Sequence, residues 1–105
     1  MPTLHLIKND PKLPGIFPIK GCPHVYESGY WVMADQTAKG LVGGSILFHD
    51  RQTQASFFGG IITEATKTTD GKYAGRFVFK FTYDPVCKGV RTSRDGWAME
   101  MKIVK

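Results

Sequence analysis

Three cations and two hydroxyls crowd into one short stretch, KGVRTSRDGW at residues 88–97, where Lys88, Arg91 and Arg94 are interleaved with Thr92 and Ser93 and followed by Trp97. Cations and hydroxyls hold phosphates, and an indole face stacks on an exposed base, so the stretch has the make-up of a polyanion contact. The same residues also suit a solvated loop that delivers Trp97 to a core. His49 ends the strand-like run SILFH, with Asp50 and Arg51 directly after it. An imidazole beside a carboxylate can move protons or hydrogen-bond a base, and Glu100 is a further acid–base candidate. The plainer reading of His49 is a strand-end histidine meeting a turn.

A second set of candidates surrounds SFFGGIIT, residues 56–63, where paired glycines interrupt the most strand-like segment of the chain. Gly59 and Gly60 expose backbone amides to a close-approaching ligand or second backbone, and Ser56 is a hydrogen-bond partner for whatever lies there. Trp31, next to Tyr30, offers another stacking surface, because a strand sends adjacent side chains to opposite faces and only one of the two enters the core. Cys22, His24, His49 and Cys87 are the residue types of a zinc site, but no second compact pair follows Cys22 and His24, so no metal or other cofactor is expected. Phosphate loops, dinucleotide fingerprints, HExxH and GxSxG are missing, and a Cys87 nucleophile served by His49 has no motif around it.

These residues must be held by short strands. Residues 76–83, RFVFKFTY, alternate with a two-residue period that puts Phe77, Phe79, Phe81 and Tyr83 on one face. The turn pair Asp70 and Gly71 precedes them and predicts a hairpin. Further strands are expected at Thr3–Ile7, at residues 16–19 as an edge, at 30–33 (YWVM), at Ser45–His49, through the glycine pair, and at 97–104, where Trp97, Met99, Met101 and Ile103 face one way. Residues 34–40 allow one or two helical turns ended by Gly40. Five of the six prolines fall among the first 29 residues, so that segment is expected to wrap the core and not to build it.

A chain of 105 residues makes one domain, and its 12 glycines, 6 prolines and 13 aromatics favour strands over long helices. Five or six strands with one small helix hide their edges most economically by closing into a small barrel, with the glycine pair supplying a sharp bend. The expected fold is therefore a mainly β barrel over residues 30–104, preceded by the irregular segment 1–29. No run approaches a membrane span and the first residues lack a secretory pattern, so a soluble, cytoplasmic protein with reduced cysteines is expected, although one disulfide stays open. The net charge of +5 is uneven: residues 1–50 balance four cations with four acids, whereas residues 51–105 hold ten cations and five acids. Such an excess fits polyanion binding or a merely soluble basic surface.

Three segments together resemble the EVE domains of the PUA-like superfamily: Tyr30-Trp31-Val32-Met33, Gly44-Ser45-Ile46-Leu47-Phe48-His49 and Phe58-Gly59-Gly60-Ile61-Ile62. The resemblance covers residues 30–104 and implies a small β barrel that binds RNA or DNA, in some branches through an aromatic pocket for a modified base. Here only ten residues separate the first two segments, where EVE domains carry a longer helical insertion, so a pocket built on that insertion is not implied.

The leading expectation is a nucleic-acid-binding module without catalytic activity, using Trp31, His49, Arg51, Ser56, Gly59, Gly60, Lys88, Arg91 and Arg94. Two others stand beside it. One is a small enzyme acting on a nucleoside or other small ligand through His49, Asp50 and Glu100. The other is a protein-interaction subunit or inhibitor whose proline-rich start docks on a protein partner, since basic surfaces also fit acidic proteins.

Overall fold

The computed structural model describes residues 2–7, 16–52, 54–69, 71–72, 74–93, 95–97 and 101–104. In chain order the elements are β1 (Thr3–Ile7), β2 (Phe17–Pro18), β3 (Val25–Trp31), α1 (Asp35–Gly40), β4 (Ser45–His49), β5 (Phe58–Lys67), β6 (Phe77–Tyr83), a 3-10 turn (Pro85–Cys87) and β7 (Met101–Val104). They form one seven-stranded sheet ordered β2-β3-β6-β5-β4-β1-β7, in which β1 runs parallel to β4 and the other pairs are antiparallel.

This corrects the expected barrel. The sheet is mixed and open, with β2 and β7 at its edges and seven strands where five or six were expected. It is nevertheless strongly curled. Seven strands at about 4.8 Å spacing would make a flat slab about 10 Å thick when packed on one layer, whereas the molecule measures 35 × 30 × 30 Å. Curling brings rings from strands that are not neighbours together: Phe48 of β4 and Phe81 of β6 have centroids 5.6 Å apart, with β5 between their strands.

The concave face is the core. Leu4, Leu6, Ile46, Phe48, Phe79 and Phe81 are fully buried there, Phe77 and Ile62 nearly so, and α1 closes one end with Ala38 and Leu41. The alternation in RFVFKFTY is realised as expected, Phe77, Phe79 and Phe81 being buried while Thr82 is exposed. Burial of such side chains stabilises the fold by roughly 1.5–3 kcal/mol each before chain entropy is counted.

Two further expectations change. The first 29 residues do not merely wrap the core: β1 lies inside the sheet between β4 and β7, because Leu4 and Leu6 alternate onto the apolar face and must be covered. The bend of β5 does not fall at the glycine pair either. Gly59 and Gly60 pair regularly with Leu47 and Ile46, and the register shift against β6 falls between Ile62 and Glu64. The strand expected at 30–33 begins earlier, at Val25, and ends at Trp31. Asp70, Arg94, Met99 and Glu100 lie outside the described residues.

The glycines serve close packing. A Cβ on Gly60 would sit 2.0 Å from the Thr82 carbonyl oxygen and 3.0 Å from the Phe81 ring, so bare backbone at Gly60 lets β6 and its aromatic face approach. A Cβ on Gly59 would meet the Ile46 oxygen at 2.3 Å and the Cys87 Cβ at 2.8 Å. Gly59 is thus the seat on which the 3-10 turn rests, on the face opposite the core. The close approach expected at this pair is made by the chain's own backbone and turn.

Candidate ligand cavity and basic rim

The face opposite the core takes the alternate residues of the same strands. His5, Leu47, His49 and Lys102 all point there and all are buried, although no α-helix among the described residues covers them. Their cover is the 3-10 turn and the loop residues after it, described at 84–93 and 95–97. It is pinned by side chains and backbone: the Asp84 carboxylate accepts from the Val86 amide at 3.0 Å, the Gly89 amide donates to the Ser56 carbonyl at 2.7 Å, and the Ser56 amide donates to the Val90 carbonyl at 2.8 Å. The Ser56 hydroxyl donates to the Cys87 carbonyl and accepts from the Val90 amide. Further along, the Lys102 ammonium donates to both the carbonyl and the hydroxyl of Ser93, at 2.8 and 3.0 Å.

Beneath this cover the two histidines touch. His5 Nδ1 and His49 Nε2 are 2.8 Å apart, and His49 Nδ1 lies 2.8 Å from the Gln54 carbonyl oxygen. Trp97 packs edge-on against His49, with centroids 5.7 Å apart, and tilts over His5 at 6.2 Å. Trp97 was expected on the apolar face with Met101 and Ile103; it packs instead on the histidine side, half-buried. Burial holds His5 down to about 4 from its ordinary 6.5, and the neighbouring His49 ring and Lys102 ammonium act in the same direction.

Next to His5 the cover lifts off the sheet and leaves a cavity of about 340 Å³. Its floor is Thr3, His5, Ser45 and Leu47, and its other side is formed by Val86, Cys87, Val90, Arg91 and Thr92. Among the described residues the walls are mostly apolar with a few hydroxyls, one imidazole and one guanidinium, which is the usual composition of a small-ligand site. Burial pushes the Cys87 thiol up, and Asp84 adds to this while a hydrogen bond from Ser45 opposes it, so the cavity holds a thiol and not a reactive thiolate. Cys22 is exposed and both thiols are free. A larger hollow, about 610 Å³, lies beside α1 against Leu41 and Ile103, with no histidine and no charged side chain among the described residues of its lining.

No protein-family model, curated protein or solved structure matches this chain at a significant level.

The expected site residues divide by face. Ser56, Gly59 and Arg91 build or support the cavity, His49 reaches it through His5, and Lys88 is exposed just beyond the 3-10 turn. Arg51 is exposed in the turn after β4. Gly60 is buried among the strands of the core. Trp31 packs against the core cluster and donates its indole N–H to the Ser28 hydroxyl at 3.0 Å, so it does not share a groove with His49. Asp50 is exposed while His49 points inward, so the imidazole has His5 and Gln54 as partners and not the neighbouring carboxylate. Sequence reasoning overlooked His5 and Lys102. The signal for His5 was present, since it sits between Leu4 and Leu6 and therefore on the opposite face from them. Among the described residues no cluster of three or more His, Cys, Asp or Glu has the arrangement of a metal site.

Proposed function

We propose that this chain is a nucleic-acid-binding module that holds phosphates on its Lys88–Arg91 rim and admits one nucleotide unit to the cavity beneath. The supporting observation is that Arg91 belongs at once to the exposed basic segment and to the wall of the 340 Å³ cavity, next to Thr92 and His5. A guanidinium at a cavity mouth can keep a phosphate outside while a heterocycle lies against apolar walls inside. The excess of cations in the second half of the chain supplies the long-range attraction. Of the three segments that resemble EVE domains, Tyr30 and Trp31 end β3, and the other two fall largely in β4 and β5.

The enzyme reading is weaker on chemical grounds. A general base works best with a pKa near the operating pH, and His5, held down to about 4, is a poor proton acceptor at neutrality although a good hydrogen-bond acceptor.

Fluorescence anisotropy against random single-stranded RNA and DNA pools, at low salt and then with rising salt, tests the proposal. Binding should weaken steeply with salt, and Arg91→Ala should reduce the log–log salt slope by about one. No binding to either pool at low salt overturns it.

A further inference from the structure

The hydrogen bonds between the two histidines have a direction. The Gln54 carbonyl oxygen can only accept, so His49 Nδ1 carries the proton of that bond. With the proton on Nδ1, the Nε2 of a neutral His49 imidazole offers only a lone pair. His5 Nδ1 must then donate to that lone pair, and His5 Nε2 is left deprotonated. It has no hydrogen-bond partner among the described residues. His5 lines the cavity and His49 does not, so the ring spans the two places: its Nδ1 edge turns to His49 and its Nε2 edge to the hollow.

We propose that His5 Nε2 is a fixed hydrogen-bond acceptor that selects, inside the cavity, a nucleobase bearing an amino donor. This rests on the nucleic-acid reading above and adds to it the group that is recognised. Among the described lining residues the hydroxyls of Thr3, Ser45 and Thr92 can turn either way and Arg91 only donates, so the acceptor of fixed direction is His5 Nε2. Lys102 does not compete for that role, because an ammonium has no acceptor, and two of its hydrogens go to Ser93. Selection follows from the cost of burying a ligand edge that leaves the imidazole lone pair unmatched.

The test uses ten-nucleotide single strands of adenine or cytosine and the same strands with purine or 2-pyrimidinone, which lack the exocyclic amino group. The amino-bearing strand should bind about threefold to tenfold more tightly in at least one pair, the range of one net hydrogen bond. In His5→Phe that gap should close to below about twofold, because the ring stays and its acceptor goes. Equal binding of amino and deamino strands, or a gap that persists in His5→Phe, overturns the proposal while leaving nucleic-acid binding intact. Failure of every strand to bind overturns both. Should His5→Phe not fold, ¹⁵N-detected imidazole spectra of the unaltered protein decide: both rings should be protonated at Nδ1, and a proton on His5 Nε2 refutes the acceptor.

Discussion

Along the same strands the two faces of this sheet hold different chemistry. On the concave side Phe48, Phe79 and Phe81 are buried against one another and against α1. On the other side the intervening positions carry His5, His49 and Lys102, equally hidden from water but each tied to a polar partner. The first face needs only shape, because apolar packing is non-directional. The second needs matched donors and acceptors, because a buried polar group without a partner costs more than the bond contributes. Loop groups meet much of that demand, the Gln54 carbonyl for His49 and Ser93 for Lys102, while the buried Trp97 indole N–H has no partner among the described residues. The result separates duties: one face stabilises the fold, and the other carries the cavity.

The sharpest way to break this contrast is to truncate one residue on each side. Phe79→Ala should cost about 3–5 kcal/mol of folding stability in denaturant titration, whereas Thr92→Ala in the cavity wall should stay within about 0.5 kcal/mol. Similar losses for the two would mean that the faces are not divided in this way. The adjacent glycines give a finer comparison. Gly60→Ala and Gly59→Ala should each cost about 1–3 kcal/mol, since both force atoms apart. Only Gly59→Ala, which lifts the Cys87 turn, should also change ligand affinity; equal effects of both on affinity would place Gly60 in the site.

Acid should act on the histidine face alone. His5 takes up a proton near 6.5 when unfolded and near 4 when folded, so the unfolded chain gains protons first as pH falls. Its contribution is complete above about pH 6.5 and is lost on descent toward pH 4. The loss should be about 2 kcal/mol, after discounting for solvent admitted by the cavity. His5→Asn, which retains a donor near Nδ1 and cannot titrate, should flatten thermal stability across that range; an unchanged slope would assign the effect elsewhere. Ser56→Ala should cost about 1–2 kcal/mol by leaving the Val90 amide and Cys87 carbonyl without their side-chain partner. Hydrogen exchange should show faster opening confined to residues 87–90.

Much of the fold was legible residue by residue. TLHLI, SILFH and FVFKFTY became strands over the expected residues, and residues 35–40 became the helix, because local alternation and turn chemistry suffice to specify such short elements. The candidate site was legible only in pieces. Ser56, Gly59, Lys88 and Arg91 were singled out for their chemistry, yet their grouping around His5 depends on a 3-10 turn resting on one glycine. Trp31 and Trp97 could not be sorted between faces, since an aromatic at a strand end packs equally well on either side.

Taken alone, the amino-acid sequence determined a basic, strand-rich chain with one phenylalanine-lined face, because composition and a two-residue period act over short distances. Tertiary structure decided that β1 enters the sheet parallel to β4, and with it that two histidines 44 positions apart share a hydrogen bond. Pairing across that separation depends on which edges remain open once the hairpins have formed and on the entropy of closing the long connection, and neither is written in the local pattern.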